Sequence, residues 1–166
     1  IYQCDWSSDV CSSDLTTLID FFKDLVTERG EFLVYDDGFR RRSYSYDQVG
    51  RAARGFAARL TAGGIAKDST VILWGENRPE WIAAYWGCLL VGAVAVPIDY
   101  RSSPDFVAKV RGVVNAALAV TGDEVETAAA LPEGCGTPCW PMADFDWHAD
   151  GPWPSVPIDR KSTRLN

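Results

Sequence analysis

The chain has 166 residues, with 23 acidic and 16 basic side chains, one His and 47% hydrophobic residues, enough for one domain or a piece of a larger one. A formal charge of −7 leaves no basic stripe for nucleic acid or an anionic membrane surface, so no nucleic-acid partner is expected. Charged residues at 23% and aromatics at 12% argue against disorder through most of the chain.

The two ends read differently from the middle. IYQCDWSSDVCSSDL has neither a helix period nor the apolar core of a secretory signal. Ser7 to Asp14 can be written as a DNA strand whose reverse complement encodes Asp159 to Asn166. Both ends can thus be one oligonucleotide read on opposite strands, similar to a short-read sequencing adapter. Residues 1–15 and 159–166 are therefore expected to be adapter-derived tails, excluded from fold reasoning as any fusion scar is. The acidity survives their removal, and three cysteines remain, Cys88, Cys135 and Cys139. An odd count without a signal peptide suits a reducing compartment, so a cytoplasmic location is expected. Cys135, Cys139 and His148 invite a zinc reading, but the three-residue spacing and the missing fourth ligand argue against it, and no metal site is expected.

Residues 17–30 read as an opening helix, capped by Thr17, with Leu18, Phe21, Phe22 and Leu25 on its apolar face. EFLVYDDGFRRRSYSY reads as a hairpin turning at Asp37-Gly38. Arg40, Arg41 and Arg42 are successive strand residues that cannot share one face, so they read as a solvated edge. Ser45 and Gln48 form a capping box ahead of a helix whose Val49, Ala53, Phe56, Ala57 and Leu60 recur at helical spacing until Gly63-Gly64. TVILWG at 70–75 is a buried-type strand. A helix follows at 79–91, with Pro79 in its first turn and Asn77 as its cap, and then a strand at 93–98 stopped by Pro97. Together these make a parallel βαβ unit. Residues 81–98 carry no charge, but Gly87, Gly92 and Pro97 interrupt them, so no transmembrane segment is expected. Ser103 and Pro104 start another helix, with Phe106, Val107, Val110 and Val113 pointing inward, and LAVTG at 118–122 is a third parallel strand. After a short helix the chain becomes rich in Pro, Gly and Trp, and no element is assigned past about residue 130. The fold class expected is α/β, with parallel βαβ units preceded by a helix and a β-hairpin.

The run from Tyr44 to Arg101 resembles the N-terminal part of the AMP-forming acyl-CoA synthetases, the adenylate-forming superfamily that also holds luciferases and peptide-synthetase adenylation domains. SYSYDQVGRAARGFAARL is similar to the family's opening T-Y-x-E-L helix. DSTVILWGENRPEWIAAYWGCLLVGAVAVPID repeats its strand, N-R-P-E turn, helix and G-A-V-x-V-P strand in order. Each motif alone is weak, being mostly packing residues, but their order and spacing are specific. The resemblance spans about residues 17–125. The resemblance implies that the chain is the N-terminal subdomain of such an enzyme, with residues 16–130 and a continuation at 131–158 in one AMP-binding domain.

The activity implied is ATP-dependent ligation of a carboxylic acid to CoA, with ENRPEW and GAVAVPI resembling the fatty acyl-CoA synthetases. The carboxylate displaces pyrophosphate from Mg-ATP to give an acyl-adenylate, and a thiol then displaces AMP. ATP, Mg²⁺ and CoA are thus cofactors implied for the parent enzyme, with none expected for this stretch alone. The family's Ser/Thr/Gly-rich phosphate loop ending in Pro-Lys-Gly, its ribose-binding acid and its C-terminal Lys have no counterpart here, and Lys23, Lys67, Lys109 and Lys161 match none of them. No catalytic or cofactor-binding residue is therefore assigned, and the stretch alone is expected to be inactive. Asn77, Arg78, Pro79 and Glu80 read as a helix-start turn rather than a site. Asp99, Tyr100 and Arg101 follow the carboxyl end of a parallel strand, where α/β proteins place ligands, and are the candidate substrate-pocket residues. The alternative is a non-catalytic, doubly wound module that binds a small molecule or protein through Trp74, Trp81, Tyr85 and Trp86. The expected partners are the carboxylic acid and the remainder of the chain's own domain.

Overall fold

A computed structural model describes residues 17–153 and 155. The expected tails at 1–15 and 159–166 lie outside the described residues. The chain runs through helix α1 (Leu18–Leu25), strands β1 (Glu31–Asp36) and β2 (Arg41–Ser45), and helix α2 (Tyr46–Ala62). Then come β3 (Thr70–Gly75), α3 (Pro79–Leu90), β4 (Val94–Asp99), α4 (Pro104–Val114) and β5 (Leu118–Thr121). A one-turn α5 (Thr127–Ala130) and a short β6 (Cys139–Pro141) complete it. Strands β1 and β2 form the antiparallel hairpin, and the other four form a parallel sheet in the order β4-β3-β5-β6.

Strand β3 is the centre of the sheet, and its side chains alternate between two cores as a pleated strand requires. Val71 and Leu73 pack with Leu118 and Val120 under α1, α2 and α3, around Phe22, Phe56, Leu60 and Trp86. Ile72 and Trp74 pack on the other face with Ile98, Ala119 and Val107 of α4. Strands buried on both faces need no polar alternation, which is why TVILWG is a continuous apolar run.

The caps follow the local chemistry. Thr17 accepts from the Asp20 N–H at 3.1 Å, and Ser45 and Gln48 close the reciprocal capping box on α2. All five apolar residues expected to face inward from α2 are buried. Helix α1 departs from its expected face: Ile19 and Phe22 are buried, whereas Phe21 is 43% exposed at the rim of the Trp86 ring. The helix is short, and Trp86 stacks at 4.3 Å on Phe22 and so chooses the buried side.

Four further expectations are corrected. The hairpin turns at Gly38-Phe39, one residue later than Asp37-Gly38, because the Asp37 carboxylate accepts the N–H groups of Phe39 and Arg40 and holds Asp37 on the strand side. Helix α3 is capped by the Arg78 backbone without a side-chain bond, so Asn77 is not its cap. Pro97 lies inside β4 and does not end it; β4 is an edge strand, where a residue without an N–H interrupts no ladder. In α4 only Val107 is fully buried, while Phe106 and Val113 face out. The segment past residue 130 holds the unassigned β6, flanked by Pro138 and by Pro141 at its end. Arg40, Arg41 and Arg42 are all exposed, as expected of a solvated edge.

Candidate active-site region at the strand ends

The chain leaves β3 to build β4 on one side and then returns to place β5 on the other, so β3 is the switch point of the sheet. Loops at the carboxyl ends of such strands converge on a crevice. Three lie at this end of the sheet: Glu76–Arg78 after β3 shares a cleft with Tyr100 and Arg101 after β4 and is bonded to Gly122–Glu124 after β5.

The first and third loops touch with no room to spare. A Cβ at Gly75 would lie 2.9 Å from the Gly122 nitrogen, and one at Gly122 would lie 2.0 Å from a Glu76 carboxylate oxygen. That space is filled by the Glu76 carboxylate, which accepts from the Asp123 N–H at 3.2 Å and the Glu124 N–H at 3.5 Å. Arg78 then ties the loops to the helix: it bonds Glu76 at 3.1 Å, pairs with Asp123, and lies 3.5 Å from Glu80. Glu80 is buried in the first turn of α3 and accepts from the Trp147 indole N–H at 3.0 Å. Burial alone would raise the Glu76 pKa, but the backbone N–H donors and Arg78 outweigh it and hold the carboxyl below its ordinary range. Three carboxylates around one guanidinium leave the cluster net negative, so it clamps loops together and does not cradle a phosphate.

Asp99, Tyr100 and Arg101 line a cleft of about 170 Å³ with Gly75, Asn77 and Trp81. Asp99 accepts from the Arg101 N–H at 2.8 Å, and the Arg101 guanidinium sits 5.2 Å from the Tyr100 ring. Asn77 and Trp81 also line a second hollow of about 240 Å³, continued by Leu33, Val34 and Ile82. The two hollows form one furrow, polar at the β4 end and apolar at the hairpin end. The N-R-P-E residues thus divide their work: Asn77 lines the furrow, Arg78 and Glu80 are the clamp, and Pro79 starts the helix.

Of the aromatics offered to a binding module, Trp74 is fully buried and Trp86 nearly so, while Trp81 and Tyr85 are half-buried and stack at 5.7 Å. Only Trp81 of the four lines the furrow. Glu76 and Asp123 are not singled out in the sequence; their one signal is an acid within two residues of the end of each central strand. Cys135 and Cys139 pack beside the second core, and His148 lines a separate hollow with Tyr44 and Arg51, so these three are not brought together. Burial pushes the Cys88 thiol up to about 12 and also raises that of Cys139, which makes both poor nucleophiles. Among the described residues, no group of three or more His, Cys, Asp or Glu could hold a metal ion. Among them, too, no helix is long and apolar enough to cross a membrane.

The same fold occurs in known proteins. The 3-hydroxybenzoate–CoA/4-hydroxybenzoate–CoA ligase of Thauera aromatica is 36% identical over 63 residues, 38% of this chain and 12% of that protein. The fatty acyl CoA synthetase of Mycobacterium tuberculosis superposes with a TM-score of 0.73 at 23% identity, covering 87% of this chain and 31% of that one. The fatty acid AMP ligase of Legionella pneumophila gives 0.70 at 19% identity, covering 86% and 26%. The chain therefore spans less than a third of each of these proteins, and the two structures share its fold. The AMP-binding enzyme family itself matches residues 23–152, and the chain belongs to that family.

Proposed function

We propose that the chain is the N-terminal part of an ATP-dependent acid:CoA ligase, similar to the fatty acyl-CoA synthetases. In the whole enzyme a carboxylate oxygen attacks the α-phosphorus of Mg-ATP, the α–β phosphoanhydride bond breaks and pyrophosphate leaves. A CoA thiolate then attacks the acyl carbon, and AMP departs. The observation that carries this reading is the family match across residues 23–152. In this reading residues 16–130 and 131–158 are consecutive parts of one cytoplasmic AMP-binding domain, 1–15 and 159–166 stand outside it, and the remainder of the domain is the principal partner.

The cleft at Asp99, Tyr100 and Arg101 contributes the rim of the substrate pocket, with Arg101 as its cation. By itself it does not hold ATP. The cleft has one cation beside one anion, and the neighbouring clamp is acidic, so little offsets a triphosphate. Calorimetric titration of ATP and Mg²⁺ into the 166-residue chain is expected to give no heat of binding, and micromolar binding would overturn this. The parent reading is tested by sequencing the source gene outward from codons 16–158. A frame that continues into a Ser/Thr/Gly-rich loop ending in Pro-Lys-Gly supports the ligase; a natural stop codon without adapter sequence favours the binding module.

A further inference from the structure

Two thiols take no part in the strand-end region and stand together elsewhere. Among the described residues the free cysteines are Cys88, Cys135 and Cys139. Cys88 is fully buried in the first core, whereas Cys135 and Cys139 are half-buried and pack on the second core beside the edge strand β6. They form the two ends of one turn, CGTPC, and the fold pins that turn at both ends and in the middle. The Arg111 guanidinium donates to the Cys135 carbonyl at 2.8 Å, the Thr137 hydroxyl to the Ala116 carbonyl at 3.2 Å, and the Ala119 N–H to the Pro138 carbonyl at 2.9 Å. Gly134 and Gly136, both at φ 80°, supply a backbone conformation that glycine adopts without steric penalty. The Cys139 Sγ lies 3.3 Å from the Thr121 hydroxyl, and the Cys135 Sγ donates to the Thr137 carbonyl at 3.7 Å. Among the described residues no third ligand joins the pair, which suits two-electron thiol chemistry better than a tetrahedral metal.

We propose that Cys135 and Cys139 form a thiol–disulfide exchange site, in which a small-molecule disulfide such as oxidised glutathione converts the pair to an internal disulfide. The Cys135 thiolate attacks one sulfur of the small molecule, the S–S bond there breaks, and one glutathione thiolate leaves. The Cys139 thiolate then attacks the Cys135 sulfur, the internal S–S bond forms, and the second glutathione thiolate leaves. The two protons lost by the protein pass through water to the departing thiolates. Two protein thiols thus become one disulfide, and one small-molecule disulfide is reduced to two thiols. Burial and, less strongly, the nearby Cys135 raise the Cys139 thiol against its Thr121 hydrogen bond, so Cys139 is the weaker attacker of an outside molecule and acts second, where proximity favours it. The bond closes a ring of only five residues and removes little entropy from the unfolded chain, so it acts as a reversible exchange site and not as a structural staple. None of this depends on the ligase reading.

The test is a redox titration of the 166-residue chain carrying Cys4→Ser and Cys11→Ser, which leaves Cys88, Cys135 and Cys139 as its thiols. The chain is equilibrated without oxygen in mixtures of reduced and oxidised glutathione, quenched in acid, alkylated and mapped by peptide mass spectrometry. The expected product has a disulfide inside the peptide spanning 135–139 and an alkylated Cys88. It should form at a severalfold lower proportion of oxidised glutathione in the folded chain than in the same chain in urea, because the pinned turn presents the two thiols to each other. Glutathione adducts alone, a disulfide to Cys88 or between chains, or a pair that oxidises as readily in urea each overturn the proposal. Cys139→Ser should halt the reaction at a glutathione adduct on Cys135, and Cys135→Ser should leave Cys139 largely reduced. The opposite pattern would overturn the assigned order of attack.

Discussion

The two faces of the sheet are built from the same strands yet finished differently. One is roofed by three helices, a hairpin and a wrapping segment in which Phe145 stacks on Phe56 at 5.5 Å and Trp147 on Tyr44 at 4.1 Å. The other has α4 and a single turn of α5, and it leaves Phe106, Val113 and Val94 to solvent. Helices α2 and α3 approach closely enough that a Cβ at Gly87 would meet Phe56 at 2.7 Å. Gly112 on α4 meets nothing. The first face is a closed core, whereas the second leaves three large apolar side chains half or more exposed.

If that contrast is right, substitutions should separate by face. Phe22→Ala removes a fully buried ring stacked on Trp86 and should destabilise the chain by about 4 kcal/mol in urea unfolding. Arg78→Ala should cost about 3 kcal/mol, since it strands the buried carboxylates of Glu76 and Glu80 beside one another. Ser45→Ala, which deletes half of the α2 capping box, should cost about 1 kcal/mol. Phe106→Ser should stay within about 0.5 kcal/mol in the 166-residue chain, since the ring is half in water already. A loss at Phe106 comparable to that at Phe22 would erase the distinction between the faces.

Acid sharpens the same comparison, because the clamp joins the strand ends under the closed face. The folded-state pKa of Glu76 lies below its unfolded value of 4.5, so its contribution is fully present above that pH and is lost as the pH falls through the depressed value. Urea midpoints measured from pH 6 downward should therefore drop below about pH 4.5 for the wild type. Glu76→Gln should start lower and show a shallower decline. Parallel acid profiles for the two proteins would remove Glu76 from the clamp.

Most of the closed face was legible in the sequence, since local rules decide it. The capping box at Ser45, the helical spacing through Leu60, the apolar run at 70–75 and the Pro79 start each depend on residues within a turn or two of one another. The misses share a cause. Pro97 looked like a stop because nothing local says that β4 is an edge, and β6 was invisible because three residues flanked by prolines acquire strand geometry only against β5. The site was half legible. Asp99, Tyr100 and Arg101 were found from their place after a strand, whereas Glu76 and Asp123, 47 residues apart, had no signal to join them.

The elements up to about residue 130, their order and the resemblance to the adenylate-forming family are written in neighbouring residues, since periodicity, caps and motif spacing are local properties. Tertiary packing sets which acids meet Arg78 and how far Phe106 and Val113 stay exposed beside the buried Val107. Both depend on where β5 and α4 settle around β3, and that placement is set by two-sided burial of the central strand.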